Sequence, residues 1–121
     1  MLALIRTSIF VAVCTVLTVL YGTASLLLGG LSQVTRHRII ISWCRLVIAL
    51  ARWICGVKYE VIGRENLKGL DAPIVVLSKH QSTWETLYLQ ILFFPASTIL
   101  KKQLLDIPFF GWGLRGLRPI A

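Results

Sequence analysis

From Thr7 to Thr35 the chain carries no charged residue, and within that run Val, Leu, Ile and Ala dominate from Ile9 to Leu28. A hydrocarbon core takes about 20 helical residues to cross, so the run predicts a helix that spans a membrane or lies deep in one. A cleaved signal peptide is the competing reading, because Arg6 precedes the run. The length of the run, and its exit through Gly29, Gly30 and Leu31 without a small-x-small cleavage pattern, favour an anchor. The pattern then changes. Over residues 39–57, Arg38, Arg45 and Arg52 recur at heptad spacing, with Ser42 and Ala49 beside them on one helical stripe. Ile40, Trp43, Val47, Leu50 and Ile54 fall opposite. This is the pattern of a helix lying in the bilayer interface with its arginines among lipid phosphates. A second membrane-crossing helix is the alternative, disfavoured by the cost of arginines within the span.

Gly56 predicts the end of that helix, and Val57, Tyr59, Val61 and Ile62 a short strand closed by Gly63 and a polar turn. After the loop signal of Asp71, Ala72 and Pro73, the run Ile74-Val75-Val76-Leu77 predicts a strand buried on both faces. A polar turn then leads into a helix through Leu87, Tyr88 and Leu92. The expectation is an α/β fold in two parts: a membrane anchor over 1–56, with an embedded and an interfacial helix, and an α/β unit over 57–121.

Composition strengthens the membrane reading, because hydrophobic residues make up 56% of the chain and charged ones only 15%, against about a quarter in ordinary soluble domains. Thirteen Lys and Arg against five Asp and Glu give +8. Such a surplus points to nucleic acid, anionic lipid or a phosphorylated substrate. With no basic run and no nucleic-acid module, anionic lipid fits best. Four arginines follow the apolar run (Arg36, Arg38, Arg45 and Arg52) and only Arg6 precedes it, which orients the downstream part toward the cytoplasm. Cys14, Cys44 and Cys55 form no Cys-x-x-Cys pair and read as reduced, buried thiols. His37, between Arg36 and Arg38, reads as a solvated residue with no role.

Candidate chemistry lies where the predicted strand 74–77 hands over to the helix, through Ser78-Lys79-His80-Gln81-Ser82-Thr83-Trp84-Glu85. A carboxylate bonded to one imidazole nitrogen fixes the tautomer and leaves the other nitrogen free to take a proton from a hydroxyl. His80 and Glu85 are that candidate pair. Ser82-x-x-Glu85 is equally a capping box, in which Glu85 serves only the helix start and His80 is a turn residue. Spacing alone leaves both readings open.

His80 to Glu85 resembles the His-x-x-x-x-Asp motif of glycerolipid acyltransferases, with Gln81 and Ser82 matching its His-Gln-Ser form. Lys101-Lys102-Gln103-Leu104-Leu105, followed by Ile107-Pro108-Phe109-Phe110-Gly111-Trp112, resembles a second block of the 1-acylglycerol-3-phosphate branch of that family. The resemblance is carried by residues from about Val57 to Ala121; the N-terminal helices are similar only in kind. It implies acyl transfer from acyl-CoA or acyl-carrier protein to the sn-2 hydroxyl of lysophosphatidate, giving phosphatidate without an acyl-enzyme or a cofactor. His80 would be the base, Glu85 its orienting partner and Lys101 a ligand of the acceptor phosphate. Without the resemblance, Lys101 reads equally well as a snorkelling surface lysine.

The match departs at three positions. Glu85 stands where most members carry Asp, Lys79 where Asn is common and Gln103 where Glu is usual. The Asp-Arg and Glu-Gly-Thr-Arg blocks that follow in the family lie outside this sequence, so the chain reads either as the N-terminal part of such an enzyme or as a truncated relative that keeps the base and loses much of the acceptor site, and it is not expected to turn over by itself. Transfer to another lysolipid or to glycerol phosphate is the neighbouring reading. A non-catalytic membrane protein that binds anionic lipid is the reading from a different class.

Overall fold

The computed structural model describes all 121 residues and is built from four helices joined by extended segments and 3-10 turns. Helix α1, Leu2–Leu27, is continued by a 3-10 turn over Leu28–Gly30. Residues Leu2–Gly30 are long and apolar enough to cross a membrane, with a mean hydropathy of 2.2 over their most apolar 18-residue stretch. Leu4, Val11, Val16, Leu20 and Leu27 point away from the rest of the chain, where lipid or further protein would suit them.

Helix α2, Gln33–Cys55, begins at Ser32, whose hydroxyl accepts the Thr35 N–H at 3.3 Å. It stops at Gly56, which takes the left-handed conformation (φ 74°) and returns its N–H to the carbonyls of Ala51 and Arg52. The turn at Leu31 and Ser32 folds α2 back along α1 as an antiparallel hairpin. The Tyr21 and Ser42 hydroxyls meet across it at 2.9 Å. Ile41, Cys44, Val47, Ile48 and Ala51 form the buried stripe of α2, while Arg38, Arg45 and Arg52 are all exposed, as their spacing predicts. Ile40, Trp43, Leu50 and Ile54 are half-buried, so the packed face is rotated slightly from the expected one.

Helix α3, Thr83–Leu92, packs on α2 in the opposite direction. At one end the Phe94 ring stands edge-on to His37, with centroids 5.0 Å apart. At the other, Trp84 leans on Tyr59 just beyond the C-terminus of α2, at 4.9 Å. His37 is therefore not the solvated residue expected from its arginine neighbours. It is 4% exposed, and burial pushes its pKa below the ordinary histidine value. A helix turns neighbouring residues about 100° apart, so flanking charges say little about the face a residue occupies.

Helix α4, Phe110–Arg115, docks on α1. Gly22 makes the approach possible, because a Cβ there would fall on the backbone of Phe109. Phe109 itself has a positive φ of 62°. Its ring packs on Trp112 at 4.8 Å, and Phe110 reaches Trp43 of α2 at 6.1 Å.

The expected α/β layering is absent from this chain. Residues 57–62 and 74–77 run without regular structure, and the one β contact is an isolated parallel bridge between Ile99 and Ile120. Val75 and Leu77, expected inside a buried strand, are 88% and 93% exposed. An apolar run of β-branched residues reports a preference for extended backbone, but a strand also needs a neighbour to take its N–H and C=O groups. Neither segment has one here. The long apolar N-terminal helix is as expected; the sheet is not.

Candidate active site

The turn before α3 is organised around one carboxylate. Glu85 occupies the third position of the helix and closes a capping box with Ser82. Its Oε2 accepts the Ser82 N–H at 2.9 Å and the Ser82 hydroxyl at 2.7 Å. Its Oε1 accepts the N–H groups of Gln81 and Ser82 and lies 3.1 Å from His80 Nδ1. The two sets of contacts that spacing left open, capping bonds and a bond to the imidazole, are both made by one side chain. The cap holds the carboxylate, and the carboxylate meets the imidazole.

Hydrogen bonds from Ser82, first through its N–H and then its hydroxyl, with further ones from Gln81 and His80, hold the Glu85 pKa at about 2. A carboxylate that stays charged favours Nδ1–H as the donor, leaving the lone pair of His80 on Nε2. No protein group bonds Nε2, and the side chain is 71% exposed, so that nitrogen is open to an incoming hydroxyl. The arrangement can accept a proton, hold the resulting imidazolium against a fixed anion, and release the proton again.

An aromatic cluster that the sequence reading did not single out flanks this turn. Trp84 and Tyr88 stack at 5.4 Å with ring planes 7° apart, and Tyr59 tilts against both. Trp84 and Tyr88 are four residues apart on α3, a spacing that foretells their contact. Nothing in the sequence foretells Tyr59.

Lys101 is exposed and precedes the 3-10 turn Lys102–Asp106. No hydrogen bond or ion pair joins it to His80 or Glu85, so of the three expected site residues the structure bonds two to each other and not the third. The neighbouring Ile107-to-Trp112 block packs on α1 and α2 through Phe109 and Phe110, away from the His80 turn.

No family model matches the chain, and no solved structure does. Curated proteins do. Over 119 residues, 97% of this chain, it is 44% identical to a Pseudomonas aeruginosa protein named 1-acyl-sn-glycerol-3-phosphate acyltransferase. A Saccharomyces cerevisiae protein of the same name is 38% identical over 58 residues, 47% of this chain. The chain spans 46% of the length of the bacterial relative and 18% of the yeast one. With that identity extending over the helical hairpin as well as the His80–Glu85 turn, the chain belongs to the 1-acyl-sn-glycerol-3-phosphate acyltransferase family.

Proposed function

We propose that the protein transfers an acyl group from acyl-CoA or acyl-carrier protein to the sn-2 hydroxyl of lysophosphatidate, giving phosphatidate for phospholipid synthesis. The observation that carries this reading is the 3.1 Å contact between His80 Nδ1 and a Glu85 carboxylate locked by the start of α3. In the proposed reaction His80 Nε2 takes the proton of the acceptor hydroxyl as its oxygen attacks the thioester carbonyl. The C–S bond of the tetrahedral intermediate then breaks, and the departing thiolate takes that proton from His80. Glu85 stabilises the imidazolium between the two steps. Lys101 supplies a point charge for the acceptor phosphate. That role requires the acceptor to bridge from the His80 turn to the segment before residue 102.

Residues 1–56 serve as the anchor and 57–121 contribute the catalytic part, which faces the cytoplasm at the inner membrane, where charged thioester donors are found. Acceptor and product both stay dissolved in lipid, and the anchored chain meets them there. The test is transfer of labelled acyl groups from acyl-CoA to lysophosphatidate by the protein as its gene encodes it. His80→Ala is expected to lower turnover by about 10²–10⁴-fold, the usual worth of a general base. Normal turnover in that variant would overturn the assignment, and a preference for glycerol 3-phosphate over lysophosphatidate would move the protein to the sister reaction.

A further inference from the structure

At the hairpin turn, far from His80, a cleft of about 350 Å³ opens between the end of α1, the start of α2 and the end of α4. Its volume falls within the roughly 300–1,000 Å³ of small-ligand sites. Leu26, Leu28, Ile40 and Trp112 form its apolar walls, and Arg36 and Arg115 its charged ones; no acidic side chain lines it. Arg36 is braced from behind. Its Nη2 donates to Gln33 Oε1 at 2.9 Å, while Gln33 Nε2 donates to the Gly116 carbonyl at 2.9 Å, tying the guanidinium to α4. Arg36 Nε is buried and has no acceptor within the protein. An unsatisfied buried donor is costly, so the position suits a ligand that brings an acceptor. Arg115 is held loosely, with a carbonyl contact to Leu105 at 3.2 Å and an exposed pairing to Asp106 at 3.6 Å. Exposed pairs of this kind contribute little, which leaves Arg115 free to turn toward the cleft.

We propose that this cleft binds the phosphate of an anionic membrane phospholipid between Arg36 and Arg115, with Leu26, Leu28, Ile40 and Trp112 against the start of its acyl chains. Its place supports that occupant over a soluble anion. The cleft lies where the apolar helix ends and the polar turn begins, the level at which headgroups, arginines and tryptophans meet in a bilayer. Its two arginines are distinct from the exposed Arg38, Arg45 and Arg52 stripe, and the cleft shares no residue with the His80–Glu85 turn. The bound lipid would close α4 onto the hairpin as a third party to their contact.

Native mass spectrometry of the detergent-purified protein tests this, with phosphatidylglycerol, phosphatidylcholine and inorganic phosphate as probes. One phosphatidylglycerol is expected to stay bound at least about tenfold more tightly than phosphatidylcholine, given the worth of two arginines near an anionic headgroup. R36Q/R115Q should lose that preference, and R38Q/R45Q should keep it. Equal retention of both lipids, or equal losses in the two double variants, would overturn the site. Displacement of the lipid by equimolar inorganic phosphate would overturn its assignment to a lipid. Ser25 also lines the cleft, and Ser25→Leu fills part of it while leaving both arginines. It should also expel the lipid, and it decides the matter if circular dichroism shows that R36Q/R115Q has unfolded: retention by Ser25→Leu then counts against the cleft.

Discussion

A carboxylate that caps a helix is used for its acceptor oxygens, whereas one that orients a histidine is used for its charge, and Glu85 offers both at once. Glu85→Gln separates the two uses, because the amide oxygen still accepts an N–H but the charge that stabilises an imidazolium is gone. Acyl transfer should fall by about 10²–10⁴-fold while the helix content stays nearly constant, as read by parallel activity and circular dichroism measurements. The titration is equally specific. The folded pKa of about 2 lies below the ordinary value of 4.5, so this carboxylate contributes stability fully above the ordinary value and loses the contribution as pH falls toward 2. Carbon NMR of the Glu85 side chain should therefore show an ionised carboxylate at pH 4; a midpoint at 4.5 would mean that the cap does not hold in solution.

At the scale of elements, the contact between α4 and α1 depends on a missing side chain. Gly22→Val would drive two methyl groups into the Phe109 backbone, and overpacking of this kind costs about 1–3 kcal/mol. The expected result is a lowered thermal midpoint in detergent, together with freer motion of Trp112 in fluorescence anisotropy. An unchanged midpoint would show that α4 does not depend on this contact. Gly22 was not visible as a contact residue in the sequence, since a glycine in an apolar helix carries no sign of its partner. The helices themselves were legible: the apolar stretch Ile9 to Leu28 ends close to Gly30, the arginine stripe is exposed, and Gly56 stops α2. The His80–Glu85 pair was legible too, because a five-residue offset across a helix start is a local geometry. Lys101 depended on resemblance alone, and its distance from the dyad is fixed by tertiary packing that no local pattern encodes. The strands failed for the same reason, since pairing is a property of two segments and the pattern describes only one.

For the whole molecule, the decisive quantity is how little of it the protein itself buries: 10 of 121 residues. Most of its apolar surface must find lipid or further protein. Amide hydrogen exchange distinguishes these at Val75 and Val76, which make no backbone hydrogen bond here. Rapid exchange is expected in this 121-residue chain alone, and strong protection in the protein as its gene encodes it would reveal a pairing partner for that segment. The hairpin has a consequence of another kind. Because α1 and α2 run side by side, they share one tilt, and the embedded helix cannot stand upright while its neighbour lies flat. From Arg36 to Cys55 the helix is about 28 Å long, nearly the roughly 30 Å of a hydrocarbon core, and the His80 turn lies at the far end of it. An upright hairpin with its turn in water on one side would carry Arg52 and the His80 imidazole across to the other side of the hydrocarbon core. A reclining hairpin keeps both at the surface and returns the N-terminus to the face it started from. Thiol-specific labels on cysteines placed at Leu2 and Ser32 should then react from the same side of sealed vesicles, and reaction from opposite sides would mean that the hairpin stands upright across the bilayer. In the reclining pose the two helices act less as a mooring driven through the membrane than as a raft laid within one leaflet, with the His80–Glu85 turn carried at its surface.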